Sequence, residues 1–230
     1  MILPNRARGY FVTGTDTGVG KTLVACALLH AYAARGLRVI GMKPVAAGAH
    51  LENGVWVNQD VEQLIAASNV KAPRNTINPY CFESPVAPHI AAAVQESKIE
   101  TSFIDENYHH LTRLADMVVV EGAGGFCVPF NALETSADLA QQLALPVLLV
   151  VGMRLGCINH ALLSAEAIRS RGLTLAGWVA NHIDVAMLYA KANIAALQAR
   201  LNAPMISRIA FCEAPQSAVV AQELDLSALT

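Results

Sequence analysis

Nine residues near the start of the chain, residues 14–22 with the sequence GTDTGVGKT, constrain the fold more than any other segment. An apolar run at residues 10–12 precedes them and a helical pattern at residues 23–34 follows, as in a strand, a loop and a helix. Glycines in such a loop allow backbone N–H groups to surround phosphate oxygens, and the helix N-terminus adds positive potential. The segment therefore predicts a phosphate-binding loop rather than an ordinary glycine-rich turn before a helix.

Two side chains at the end of this loop fit the same chemistry. Lys21 can reach the β- and γ-phosphates of a nucleotide, and the Thr22 hydroxyl can bind Mg²⁺. The spacing departs from the general signature, since Thr15 stands at the position of its first glycine and Gly14 lies one residue earlier. The strand, loop and helix context favours phosphate binding in spite of this difference.

Continuous apolar runs alternate with helical patterns along the rest of the chain. Such runs are typical of strands buried on both faces of a parallel sheet, and the intervening helices make the crossover connections. The predicted strands are residues 10–12, 37–42, 117–120, 147–151 and 173–179, and the predicted helices are residues 22–35, 100–114, 135–143, 159–171 and 187–201. The pattern predicts a three-layer α/β fold of the P-loop NTPase kind, with a mostly parallel central sheet flanked by helices, in a single domain of residues 1–230.

Residues 46–88 are the least regular part of the chain, with Asn-Gly, proline and Asn-Pro signals. We expect long loops there, with one short helix after Asp60. Ligand sites in an open parallel sheet lie beyond the carboxyl ends of the strands. We therefore expect a single crevice to bring together the residues at these ends, which are Gly14, Lys43, Glu121, Gly152 and Asn181.

Composition excludes some classes of function. The chain has 230 residues, of which 54% are hydrophobic and 15% charged, and its net charge is −2. No Lys/Arg-rich block provides the footprint of a nucleic-acid-binding protein, and no apolar run approaches the length of a membrane span. Five scattered cysteines without a Cys-x-x-Cys pair favour a reducing, cytoplasmic location. We expect neither nucleic acid nor a membrane as a partner.

Three charged residues at or near strand ends are candidates for chemistry. Lys43 precedes a proline, which favours extended backbone, so its ammonium group can point into the crevice or simply into solvent. Glu121 follows a buried strand and can bind Mg²⁺, which prefers oxygen ligands. Asp60 is a second candidate ligand for the metal, although a carboxylate at the start of a helix also serves as an N-cap.

Polar residues near the last strands leave alternatives open. The Asn181 amide can recognise the edge of a nucleotide base, or it can form an Asx turn. Asn159 precedes a predicted helix, whose free N–H groups can bind a carboxylate unless Asn159 is a simple cap. Cys157 and His160 lack an orienting partner in the sequence, so we assign them no nucleophile and base roles.

The ordered set of motifs resembles the dethiobiotin synthetase family over residues 10–181. These motifs are GTDTGVGKT, GMKPVAAG, NQD, NPYCF, SPVAPH, VVEGAGG, LGCINH and GWVAN. The resemblance implies a P-loop α/β homodimer that uses ATP, Mg²⁺ and CO₂ to close the ureido ring of 7,8-diaminopelargonate in biotin synthesis.

The resemblance also implies roles for individual residues. Lys21 and Lys43 are the implied catalytic lysines, and Thr22, Asp60 and Glu121 are the implied Mg²⁺ ligands. The implied nucleotide-binding residues are Gly18, Val19, Gly20, Lys21, Thr22, Leu23, Asp60, Glu121, Gly122, Ala123, Gly124 and Asn181. The implied substrate-binding residues are Lys43 and Ala47, together with the partner subunit's copies of Leu155, Gly156, Cys157, Ile158 and Asn159.

Two positions depart from the family pattern. Ala47 stands where related sequences often have a hydroxyl group that contacts the substrate. The segment that follows Ile209 does not match the proline-rich segment that helps to bind the base in related proteins.

The alternatives to this function are other ATP-dependent ligases that act on small molecules and ATP-driven partitioning switches. Against the ligases stands the absence of a glutaminase-like second domain, and against the switches the absence of a lysine early in the loop.

Overall fold

The computed structural model describes residues 8–229, so residues 1–7 and 230 of the predicted single domain lie outside the described residues. Ten strands lie in this part of the chain: β1 (Arg8–Gly14), β2 (Val39–Met42), β3 (Val45–Ala47), β4 (His50–Glu52), β5 (Val55–Val57), β6 (Tyr80–Phe82), β7 (Met117–Glu121), β8 (Val147–Met153), β9 (Leu175–His182) and β10 (Met205–Ile209). Its α-helices are α1 (Lys21–Ala33), α2 (Gln59–Ala67), α3 (Arg74–Ile77), α4 (Pro88–Val94), α5 (Thr101–Leu114), α6 (Ser136–Leu143), α7 (Cys157–Ser170), α8 (Ala190–Gln198) and α9 (Ser217–Val220). Short 3₁₀ helices follow at Ala221–Glu223 and Leu226–Ala228.

Six of the strands form the central sheet, in the order β10-β9-β8-β1-β7-β2. Every neighbouring pair in this sheet is parallel. Each residue of β7 and β8 is buried, which explains why these strands are continuous apolar runs rather than alternating ones. The predicted parallel sheet is confirmed.

Helices cover both faces of this sheet. Side chains alternate between the two faces along a strand, so Phe11 and Val12 of β1 belong to different hydrophobic clusters. The Phe11 cluster includes apolar residues of α5, α6 and α7, whereas the Val12 cluster includes those of α1 and α9. The result is the predicted three-layer α/β fold. None of the helices described is long and apolar enough to cross a membrane.

The structure corrects the prediction for residues 46–88. This stretch contains the short parallel pair β3 and β6 and the antiparallel pair β4 and β5, together with α2 and α3, instead of long loops with one helix. β3 and β6 are three residues long, and their partners lie 35 residues apart, as Val45 and Tyr80 do. Pairs so short and so distant leave no periodic pattern in the sequence.

Candidate active site

The phosphate-binding loop lies between β1 and α1, at the carboxyl edge of the sheet. Gly18 and Gly20 have positive φ angles of 73° and 93°, which glycine adopts without strain. Gly20 is also the N-cap of α1 and has no side chain to occupy the free N–H groups of the first turn. The loop therefore has the backbone geometry that its sequence predicts for binding an anion.

Lys21 is buried at the start of α1, and its Nζ donates a hydrogen bond to the carbonyl oxygen of Asp16 at 2.9 Å. Burial, with a smaller effect from the charge of Lys43, lowers the pKa of Lys21 to about 8. Its hydrogen-bond partner is a neutral carbonyl rather than a carboxylate, so the ammonium group can turn to a phosphate without breaking an ion pair.

Lys43, Glu121, Asp60 and Thr22 form one polar cluster beside the loop. Lys43 Nζ lies 2.5 Å from Glu121 Oε1 and 2.8 Å from Asp60 Oδ2. The Thr22 hydroxyl donates to the same Glu121 Oε1 at 2.8 Å. Burial alone would lower the pKa of Lys43, but the charges of Glu121 and Asp60 outweigh burial and raise it. Lys43 is therefore charged at neutral pH.

The oxygen atoms of this cluster fit a magnesium ion. Glu121 Oε2 is buried and accepts no hydrogen bond from any residue of the described chain, which is costly for a carboxylate oxygen unless a cation binds there. A hydroxyl group and two carboxylates, completed by phosphate oxygens and water, form a typical Mg²⁺ site. Among residues 8–229 there is no group of three or more His, Cys, Asp or Glu side chains arranged to hold a metal.

Asp60 is not the N-cap of its helix, contrary to the alternative considered from the sequence. Asn58 is the N-cap of α2, and its Oδ1 accepts hydrogen bonds from the backbone N–H groups of Asp60 and Val61 at 3.1 and 3.4 Å. The Asp60 carboxylate is therefore available to Lys43. Burial would raise the pKa of Asp60, but the charge and hydrogen bond of Lys43 more than offset this and lower it.

Asn78 fixes the backbone of Lys43, a role that the sequence did not predict. Its Nδ2 donates to the Lys43 carbonyl oxygen at 2.6 Å and to that of Tyr80 at 2.9 Å. The Lys43 N–H donates in turn to the Ile77 carbonyl at 2.9 Å. Asn78 belongs to the NPYCF motif, which was the only signal for it in the sequence.

A cavity of about 790 Å³ opens beside these groups. The predicted site residues that line it are Gly18, Gly20, Lys21, Thr22, Lys43, Ala47, Asp60, Glu121, Ala123 and Gly124. Residues 85–88 also line this cavity. Val19, Leu23, Gly122 and Asn181 are not in the described lining. Val19 is buried, Leu23 packs against the Val12 cluster, and the Gly122 N–H donates to the Val12 carbonyl.

The carboxyl ends of β8 and β9 lie against the back of the loop. Asn181 Nδ2 donates to the Val19 carbonyl at 2.8 Å, so its amide is held by the loop rather than by an Asx turn. The Gly152 N–H donates to Thr15 Oγ1 at 3.3 Å, and the Thr15 N–H to the Val150 carbonyl at 2.9 Å. Of the five strand-end residues expected to share one crevice, Lys43 and Glu121 are in the described lining of the cavity, whereas Gly14, Gly152 and Asn181 are not.

Comparisons with known proteins point to one family. A family model described as an AAA domain matches residues 8–216. The ATP-dependent dethiobiotin synthetase BioD of Aromatoleum aromaticum is 52% identical over 219 residues, which cover 95% of this chain and 97% of that protein. The ATP-dependent dethiobiotin synthetase BioD of Nitrosospira multiformis is 54% identical over 220 residues, 96% of each chain. The chain belongs to the dethiobiotin synthetase family.

Solved structures of more distant proteins share the fold of this dethiobiotin synthetase family member. A ParA family ATPase from Chlorobium tepidum is 14% identical, with a TM-score of 0.55 over 98% of this chain and 90% of that one. The MinD cell division protein of Aquifex aeolicus is 17% identical, with a TM-score of 0.53 over 88% and 81%. At such identities the likeness supports the P-loop α/β fold alone.

The family motif LGCINH lies at the start of α7, outside the described lining of the cavity. Leu155 is 94% exposed, and Gly156 is the N-cap with a φ of 92°. Asn159 lies inside the first turn of α7, so the expectation that it precedes the helix is wrong. Cys157 is buried in the hydrophobic core and His160 is exposed, so this dethiobiotin synthetase family member has no nucleophile and base pair there.

Proposed function

We propose that this chain is an ATP-dependent dethiobiotin synthetase. It carboxylates 7,8-diaminopelargonate with CO₂, phosphorylates the carbamate and closes the ureido ring, releasing dethiobiotin, ADP and phosphate. The observation that carries the proposal is the cluster of buried Lys43 and Glu121 with the half-buried Asp60 beside the phosphate-binding loop, in a chain more than half identical to two named dethiobiotin synthetases. We include in the proposal a single domain and a cytoplasmic location.

The two lysines of the cavity suit a reaction that brings two anions together. An amine of the substrate takes up CO₂ and loses a proton to give a carbamate, whose oxygen attacks the γ-phosphorus of ATP while ADP leaves. The second amine then attacks the carbamate carbon and expels phosphate. The carbamate and the triphosphate are both anions, so positive charge must hold them in line. Lys21 and Lys43 border the same cavity and supply this positive charge.

Thr22, Asp60 and Glu121 are the groups that would hold magnesium. A bound magnesium ion offsets the negative charge that develops on phosphate oxygens during phosphoryl transfer. The unpartnered Oε2 of Glu121 supports this assignment, because a cation would complete its coordination. No side-chain nucleophile is needed, in agreement with the buried, isolated Cys157.

Binding of the nucleotide and the diamine follows from the lining of the cavity. We assign the backbone N–H groups of residues 18–20 and 122–124 to the phosphates and the Asn181 amide to the base; of these residues, Gly18, Gly20, Ala123 and Gly124 are in the described lining. Ala47 lines the cavity but has no hydroxyl group, and its carbonyl oxygen already accepts a hydrogen bond from Asn58 at 3.1 Å. A water molecule would then replace the hydroxyl contact to the substrate.

A homodimer completes the proposed site. Leu155, Val185, Leu188 and Tyr189 are large apolar side chains that are each more than three-quarters exposed, and we propose that the second subunit covers them. The N-terminus of α7 can bind the carboxylate of the diamine through free N–H groups. Because residues 155–159 do not line their own cavity, we assign them to the site of the neighbouring subunit.

Phosphate release by the purified protein tests the function. With ATP and Mg²⁺ present, we expect release to require both 7,8-diaminopelargonate and bicarbonate, with dethiobiotin identified by mass. Reactions that lack either addition are the control. Release that ignores both additions would point to an ATP-driven switch, and release with another product would point to a different ligase.

A further inference from the structure

A second carboxylate lies at the phosphate-binding loop, outside the Lys43 cluster. Asp16 lines the cavity, and its Oδ1 accepts a hydrogen bond from the Thr17 N–H at 2.7 Å. The carbonyl oxygen of the same residue accepts from Lys21 Nζ. A negative charge in this place would repel the phosphates of a nucleotide bound in the same cavity, since like charges repel.

Arg154 neutralises that charge from the end of β8. Its Nη2 forms a close ion pair with Asp16 Oδ2, so both oxygens of the carboxylate are engaged. The backbone around this pair is held by the hydrogen bonds of Thr15 to Val150 and Gly152 described above. Because these hydrogen bonds join the buried strand β8 to the loop, the backbone at the end of β8 places Arg154 beside Asp16.

The exposure of the pair argues against a role in stability. The side chains of Arg154 and Asp16 are 41% and 45% exposed, and ion pairs as exposed as this contribute little to the free energy of folding. Their effect on a highly charged ligand is different, because a triphosphate responds to the net charge of the loop.

We infer that Arg154 is a positioning residue for the nucleotide phosphates: it cancels the charge of Asp16 and holds that carboxylate on the Thr17 N–H. The inference rests on the nucleotide-binding part of the proposed function and not on ring closure. The inference predicts that loss of the Arg154 charge weakens nucleotide binding, and that the loss of affinity grows with the number of phosphates on the nucleotide.

Equilibrium binding of ATP, ADP and AMP to the full chain, with Mg²⁺, tests the inference. We expect Arg154→Met to weaken ATP binding roughly tenfold, ADP binding less and AMP binding least, because the added repulsion scales with ligand charge. High salt should reduce the loss, since screening weakens repulsion. Arg154→Lys, which keeps the charge, should retain most of the affinity.

Removing the uncompensated carboxylate should restore binding. An amide oxygen at position 16 can still accept from the Thr17 N–H, so Asp16→Asn added to Arg154→Met should recover most of the ATP affinity. Arg171→Met is the matched control, because Arg171 and Asp138 form a similarly exposed ion pair away from the cavity. It should bind ATP like the unchanged protein.

Steady-state kinetics separate positioning from general damage. Arg154→Met keeps the backbone carbonyl that accepts the Cys157 N–H at 3.1 Å at the start of α7. We therefore expect the KM for ATP to rise while the KM for the diamine and the melting temperature change little. Equal losses for ATP and AMP, or no rescue by Asp16→Asn, would overturn the inference.

The proposed function and this inference fail in different ways. If the unchanged protein makes dethiobiotin while Arg154→Met binds ATP as the control does, the inference alone is wrong. If the unchanged protein binds ATP but makes no dethiobiotin, the proposed reaction is wrong and the binding series still decides the role of Arg154. If the unchanged protein binds no ATP, both are wrong.

Discussion

The Lys43 ammonium group is buried between two carboxylates, 2.5 Å from Glu121 and 2.8 Å from Asp60. Lys43→Ala should reduce kcat by about 100-fold or more, because it removes a charge that acts mainly on the transition state. ADP binding should persist, since Lys21 and the loop remain. Single-turnover kinetics and ADP titration measure the two effects separately.

The same substitution has a cost for folding. Without Lys43, Glu121 is a buried carboxylate that has lost its cation, and breaking a buried pair in this way costs about 3 kcal/mol. Added Mg²⁺ should recover part of this loss by binding the freed oxygens. Lys98→Ala is the control, because Lys98 pairs with Glu100 at the surface. For the kinetic prediction, an unchanged turnover of Lys43→Ala would show that Lys43 takes no part in the reaction.

Single residues differ in how far the sequence predicts their place. Lys21, Thr22 and Glu121 follow from one local motif or from the end of a buried strand, and they lie where expected. Asn78 and Arg154 act on partners 35 and 138 residues away. Contacts that distant depend on the folded arrangement, so no local pattern predicts them.

Among the secondary-structure elements, α6 offers a clear test of electrostatics. Asp138 Oδ2 accepts from the Thr135 N–H at 2.7 Å and from its hydroxyl at 2.6 Å, and Oδ1 pairs with Arg171. Burial would raise the pKa of Asp138, but the hydrogen bonds of Thr135 and the Arg171 pair lower it overall. The charged carboxylate therefore stabilises the folded state.

Asp138→Asn should lower the free energy of unfolding at pH 7 by on the order of 1 kcal/mol, after allowance for solvent screening. Because the pKa is lower in the folded state, the stabilisation is complete above the unfolded pKa of about 3.9 and is lost as the pH falls through the folded pKa. Urea unfolding of the unchanged protein and of Asp138→Asn, from pH 7 to pH 2, measures how the difference between their free energies of unfolding changes with pH. Glu166→Gln, at an exposed position of α7, is the matched control for the loss of one carboxylate.

The elements also differ in how well the sequence predicts them. Strands β7 and β8 are buried on both faces and stand out as apolar runs, and the long helices begin or end within about three residues of their patterns. Strand β4 is exposed at all three residues, so hydrophobicity does not mark it. Short strands that pair outside the main sheet were missed for this reason.

For the whole molecule, mixing two impaired variants tests the proposed homodimer with shared sites. Gly156→Ala places a side chain at a φ of 92° and strains the start of α7, although a Cβ there meets no atom within 4 Å. Each subunit of a mixed dimer with Lys43→Ala then carries one defect. If residues 155–159 serve the neighbouring cavity, both defects fall on one site and the other site is intact.

We therefore expect the mixture to be more active than either variant alone, after subunits exchange. Activity is measured as dethiobiotin formation, and the dimer is checked by light scattering. A mixture no more active than its components would contradict the shared site. Two copies of one variant, mixed and treated in the same way, control for the exchange procedure.

The contact between Gly20 and Asn181 joins the phosphate-binding loop to the end of β9. A Cβ on residue 20 would lie 2.3 Å from Asn181 Nδ2, so the loop and the end of β9 are in direct contact at this point. Any side chain at position 20 would therefore displace the Asn181 amide, which donates a hydrogen bond to the Val19 carbonyl within the same loop.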